Sequence, residues 1–94
     1  MEISFDRKVA ASADTLINIL GEEAVLLNLQ SQVYFGLDVV GTRMWQVLTS
    51  TESIHQAFET LIGEYDVAPE QLRNDLAEFV GKLVERKLLE VVGE

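Results

Sequence analysis

The sequence predicts an α+β domain in which a three-stranded antiparallel sheet is followed by three helices. Three observations carry that expectation. Between Thr15 and Leu37 apolar residues alternate with a period of two. From Asp38 onward they repeat at helical spacing with no linker between the two regimes. Pro69 then stops one helical run and starts another, because proline suits a first helical position and disfavours helix in the residue before it.

The elements follow in order. Residues 1–13 are weakly patterned; Ile3, Phe5 and Val9 fit an edge strand or a strap across the sheet, and a mobile segment fits equally, so the domain proper is taken as 14–92. Thr15 to Leu20 is rich in β-formers and precedes a hairpin turn at Gly21-Glu22-Glu23. Ala24 to Gln30 places Val25, Leu27 and Leu29 on one face and Leu26, Asn28 and Gln30 on the other. After a turn at Ser31-Gln32, Val33 to Leu37 sets Val33, Phe35 and Leu37 opposite Tyr34 and Gly36. Two short connections make these strands an antiparallel meander.

Asp38 is a good N-cap for a helix from Val39 to about Leu48, with Val40, Met44, Val47 and Leu48 as its stripe and Trp45 on the flank. Ser53, with Gln56 three residues later, has the form of a capping box, and Ile54, Ala57, Phe58, Leu61, Ile62 and Tyr65 follow helical spacing. The third helix, from Pro69 to about Arg86, clusters Leu72, Leu76, Val80 and Leu83. Phe79 sits on one shoulder, beside Asp75, Lys82 and Arg86. That stripe is wider than one packing face requires. Leu88 to Val92 is apolar again, a short strand or packing segment.

Composition bounds the function. The chain has 94 residues, 48% of them hydrophobic and 24% charged, a globular balance for a single core. It has no cysteine, which excludes disulfides and thiolate metal sites, and no targeting segment is evident, so a cytoplasmic location is expected. No apolar run approaches the roughly 20 residues that span a bilayer, so no membrane role is expected. A formal charge of -9 opposes binding to phosphate backbones.

Groups for chemistry are scarce. The single histidine, His55, falls in the first turn of the second helix, where exposure is expected. A zinc site would need three or four Cys or His ligands. Glu22 and Glu23 lie in a turn without calcium-loop spacing, and the scattered glycines form no phosphate cradle. No catalytic residue, metal site or cofactor is expected, and the chain is not expected to be an enzyme.

What remains is an edge. With the strands in sequential order, Val33 to Leu37 forms one side of the sheet and carries none of the Lys or Pro that usually blunts such an edge. Gly36 within it permits close approach of another backbone, or a twist or bulge. An apolar edge beside a helix with an extra apolar shoulder suits strand addition by a peptide: main-chain bonds supply affinity and side-chain pockets supply selection. Coverage by the chain's own termini, or by a second copy acting as a dimerisation module, is the alternative.

The strings AVLLNLQSQVYFGLDVVGTRMWQVL and SIHQAFETLIGEYDVAPEQLRNDLAEFVGKLVERKLLE resemble the PqqD-like peptide chaperones, also called RiPP recognition elements, over roughly Asp14 to Glu90. The VLLNL strand, the YFGLD junction with Trp45 after it, and the DLAEFVGKL helix pattern are the most specific pieces. The resemblance implies a winged-helix-like fold that binds the leader of a ribosomally made precursor peptide and presents it to a separate modifying enzyme or leader protease. It implies a groove with Val33, Tyr34, Phe35, Gly36 and Leu37 on one wall and Leu72, Asp75, Leu76 and Phe79 on the other, with Lys82 at the rim. Within the family the wording looks most like stand-alone leader-binding proteins of lasso-peptide biosynthesis. Two positions depart from the family pattern: Gln32 and Lys87 stand where glycine is common. A winged-helix DNA-binding protein would share the architecture, but the third helix sets Arg73, Lys82 and Arg86 against Glu70, Asp75, Glu78 and Glu85. No nucleic-acid partner is expected.

Overall fold

The computed structural model describes residues 3–92, in the order β1 (Lys8–Ala11), β2 (Thr15–Leu20), β3 (Glu23–Asn28), β4 (Tyr34–Leu37), α1 (Val39–Leu48), α2 (Ile54–Ile62), α3 (Pro69–Glu85) and β5 (Leu89–Val92). The predicted antiparallel meander is present as β2-β3-β4, and the three helices follow it. The N-terminal segment, which fits an edge strand or a strap, does neither to this sheet over its described residues, 3–13; residues 1 and 2 lie outside the described residues. Its residues 8–11 pair with β5 in a separate two-stranded antiparallel sheet, Lys8 opposite Val92 and Ala11 opposite Leu89.

The N-terminal segment also serves α2. The amides of Ile54 and His55, in the unsatisfied first turn of that helix, donate to the carbonyls of Arg7 and Phe5, both at 2.8 Å. Ser53 caps the same turn, its Oγ accepting from the Gln56 amide at 3.1 Å, while Gln56 Oε1 accepts from the Glu52 amide at 2.9 Å, one residue short of the usual reciprocal partner. Phe5 packs edge-on to Phe58 with ring centroids 6.4 Å apart, and the Arg73 guanidinium lies 4.2 Å over the Phe5 ring.

The core runs between the inner face of the sheets and the helices. Ala24 and Leu26 of β3, Leu37 of β4, Met44, Trp45, Val47 and Leu48 of α1, and Leu72, Leu76, Val80 and Leu83 of α3 are all buried. One feature of α1 differs from the sequence expectation: Val40, placed in the apolar stripe, is out of the core at 42% exposure, while Trp45 on the flank of that stripe is a core residue at 5%. The cause is placement of the neighbours. α1 is packed from both the sheet and α2, so its buried arc includes Gly41 and Thr42 and turns away from Val40.

The two sheets and the end of α3 are joined by one polar knot. Asn28, a buried polar residue at 4% exposure, donates through Nδ2 to the Lys87 carbonyl at 2.8 Å. Its Oδ1 accepts from the amides of Gln30 and Ser31, each at 3.0 Å, which folds the β3–β4 connection. Ser12 Oγ donates to the same Lys87 carbonyl at 2.7 Å, and Thr15 Oγ1 donates to that of Leu88 at 3.1 Å.

Gln32 and Lys87, the positions where the resemblance expects glycine, are the two non-glycine residues at positive φ among the described residues, both at 60°. Lys87 closes α3 in a Schellman motif: the Leu88 amide donates to the Leu83 carbonyl at 2.9 Å and the Lys87 amide to that of Val84 at 3.0 Å, with Leu88 and Leu83 both fully buried. A side chain in that left-handed conformation costs roughly 1–2 kcal/mol that glycine does not incur.

Candidate peptide-binding groove

β4 is an edge strand: it pairs with β3 on one side and with no strand on the other among the described residues. The Asn28 amide donates to the Val33 carbonyl at 3.0 Å. By the alternation of an antiparallel ladder, Phe35 and Leu37 then turn their backbone groups toward β3. Tyr34 and Gly36 turn theirs to the open edge. Gly36 does not have positive φ, and a Cβ built there meets nothing within 4 Å, so no conformational requirement holds a glycine at this point. What the glycine leaves is space on the open strand.

Beside this edge runs a groove of about 410 Å³ lined by β4, the start of α1 and one flank of α3. Its apolar lining comes from Phe35, Leu37, Val40, Met44 and Phe79. Asp38, Asp75, Glu78 and Lys82 supply the polar part. The α3 flank follows from the helical period: with Leu72, Leu76, Val80 and Leu83 turned inward, positions 75, 78, 79 and 82 fall together on the adjoining face. Gly41 lines the groove at the start of α1. A Cβ there would stand 3.2 Å from Asp38 Oδ1, the tighter contact, and in ordinary van der Waals contact with Phe79 Cε1 at 3.5 Å, so the bare glycine chiefly leaves room for the capping carboxylate.

Of the residues expected from the sequence, Phe35, Gly36, Leu37, Asp75, Phe79 and Lys82 line this groove. Leu72 and Leu76 do not; at 3% and 0% exposure they are core, one helical step beneath Asp75 and Phe79. Val33 precedes β4 and is engaged through its carbonyl with Asn28, while Tyr34 is 70% exposed on the outer face of the sheet, beside Leu16 and Leu27. Asp38, Val40, Gly41, Met44 and Glu78 line the groove without having been expected there. Arg86, placed on the same shoulder by the helical period, stacks its guanidinium 5.2 Å over the Phe35 ring.

Charges along the groove are ordered. Asp38 Oδ1 accepts from the Gly41 amide at 2.7 Å as the α1 N-cap, and Asp75 Oδ1 accepts from Gln71 Nε2 at 2.9 Å. Lys82 Nζ pairs with Glu78 Oε1 at 3.1 Å across one helical turn. Among the described residues no group of three or more His, Cys, Asp or Glu is placed to hold a metal ion, and no helix is long and apolar enough to cross a membrane.

A family model described as Coenzyme PQQ synthesis protein D (PqqD) matches residues 23–89. Among solved structures, TbiB1 in complex with the TbiA(beta) leader peptide is 32% identical, with 90% of this chain and 99% of that chain covered and a TM-score of 0.82. Lasso peptide synthetase B1 complexed with the leader peptide has the same fold at 22% identity, covering 88% of this chain and 98% of that one, with a TM-score of 0.79. The comparison with curated proteins gave no match.

Proposed function

The chain belongs to the PqqD family, and from that premise we propose that it is a RiPP recognition element. It binds the leader segment of a ribosomally synthesised precursor peptide and presents it to a separate processing enzyme, a lasso-peptide leader protease. The leader adds as a strand along the open edge of β4, in the groove between that strand and α3. Phe35, Gly36 and Leu37 form one wall, Asp75 and Phe79 the other, with Lys82 at the rim.

The observation that carries this reading is the coincidence of an unpaired strand edge with a groove that has an apolar lining and a helical wall. The outward backbone groups of Tyr34 and Gly36 supply main-chain donors and acceptors to any extended peptide, and Phe35, Met44 and Phe79 supply a surface for its side chains. The similarity to a structure solved with a leader peptide adds support from a relative. The chain itself contributes binding and no bond-making step.

Isotope-edited NMR titration with the leader of a precursor peptide encoded beside this chain tests the reading. Amide shifts clustered at 34–38 and along 75–82 are expected. Shifts confined to the far β2 edge, or none at millimolar leader, would contradict the groove assignment.

A further inference from the structure

Resting on the groove reading above, we infer that the groove selects its peptide by charge order: a cationic residue, an apolar residue two positions later and an anionic residue two positions after that.

The groove has two electrically different ends. At one end the Arg86 guanidinium lies over the Phe35 ring and has no acidic partner among the described residues. At the other end Asp38 and Asp75 accept hydrogen bonds from an amide and a side-chain carboxamide, and neither is paired with a cation among the described residues. Between them Glu78 and Lys82 neutralise one another at 3.1 Å. The ends are fixed relative to β4 because Phe35 meets Arg86, while Gly41, just past Asp38, approaches the Phe79 ring. β4 and α3 therefore run in opposite directions along the groove, from Phe35 with Arg86 to Asp38 with Asp75.

The peptide's spacing follows from two rises. The eleven steps from Asp75 to Arg86 climb about 16 Å along the helix axis. An extended strand covers that length in about five residues at roughly 3.4 Å each. Side chains that face the α3 wall must be an even number apart, so a spacing of four fits, with the flexible Arg86 side chain covering the remainder. The residue midway lies over Phe79 and is apolar. Its direction follows from the sheet, which is antiparallel throughout; an added antiparallel strand keeps that slightly more stable pairing. Its N-terminal end then lies at Asp38 and Asp75, which places the cation first and the anion last.

The test uses two capped heptapeptides of identical composition, Thr-Lys-Thr-Val-Thr-Glu-Thr and its isomer with Lys and Glu exchanged. Both carry no net charge, so the protein's overall charge of -9 cannot distinguish them. Titrated by NMR at low salt, the lysine-first isomer is expected to bind about tenfold tighter, a margin that shrinks as added salt screens exposed charges. The double variant Asp75→Lys, Arg86→Glu is expected to reverse the preference, its own spectrum reporting that it is folded. Equal affinities with shifts at Gly36 would overturn the charge-order inference and leave the groove reading standing. Tighter binding of the glutamate-first isomer would overturn the order stated here. Absence of shifts at Gly36 with either peptide would overturn both.

Discussion

Among the described residues the sheet has two open edges, β4 and β2, and a groove wall is found beside β4. β4 runs beside α3 and the start of α1, which enclose a groove along its free side. β2, at the opposite edge, is as apolar and as unprotected: Leu16, Ile17, Ile19 and Leu20 are 54%, 40%, 48% and 60% exposed. The Leu29 amide donates to the Asp14 carbonyl at 2.8 Å, so by alternation Ile17 and Ile19 point their backbone groups away from β3, as Tyr34 and Gly36 do on the other side. Main-chain bonding capacity is therefore equal at the two edges. What differs is the surface beyond the backbone, and that surface makes one edge selective.

Phe79→Ala should change this comparison most. Removing the ring from the α3 wall is expected to weaken leader binding by thirtyfold or more, about 2 kcal/mol, measured by calorimetry on a chain whose circular dichroism is retained. Leu16→Ala, an equally apolar truncation at the unwalled edge, should leave affinity unchanged; a comparable loss there would erase the distinction. Next in size is Asn28→Ala, which removes the side-chain bonds joining the β3–β4 connection to the end of α3. Its expected cost is about 2 kcal/mol in urea denaturation, because the amides of Gln30 and Ser31 lose their acceptor.

Lys87→Gly acts in the opposite direction. Relief of the left-handed conformation outweighs the added chain entropy, so a gain of roughly 0.5–1 kcal/mol is expected, with leader affinity unchanged. A loss of stability would mean the lysine side chain contributes something its backbone bonds do not. The smallest effect belongs to an ion pair outside the groove. Arg43 Nε and Nη2 donate to the two Glu64 carboxylate oxygens at 2.8 and 2.6 Å, and the Arg43 hydrogen bond chiefly lowers the Glu64 pKa. A lowered folded-state pKa gives stability present above the unfolded value and lost as pH falls through the folded one. Glu64→Gln should therefore flatten the acid limb of the stability profile slightly and leave the neutral-pH groove untouched.

Much of this was legible in the chain. The helix at Val39–Leu48, the cap at Ser53, the proline start at Pro69 and the strand at Thr15–Leu20 all follow from local signals, and the structure contains each of them. The β1–β5 sheet was not legible, because its partners lie at opposite ends of the chain and neither has a local signal for the other. The groove was half legible for a related reason. Helical period places Asp75, Phe79, Lys82 and Arg86 on a common shoulder, but it does not say where the core ends and the groove begins. Leu72 and Leu76, adjacent on the helical surface, fell on the core side of that line. Gly41 was not legible as a groove residue, because its place in the lining depends on Phe79, a residue of another helix, lying within contact distance.

Proline substitution at matched positions of the two edges gives the most direct test of strand addition. Gly36→Pro removes an amide that points to the open side of β4, where proline is tolerated, and Ile17→Pro removes the equivalent amide from β2. With the leader of a precursor encoded beside this chain, NMR titration should give at least about tenfold weaker binding for Gly36→Pro and wild-type affinity for Ile17→Pro. Wild-type affinity in a folded Gly36→Pro protein would contradict strand addition at β4, however deep the groove beside it.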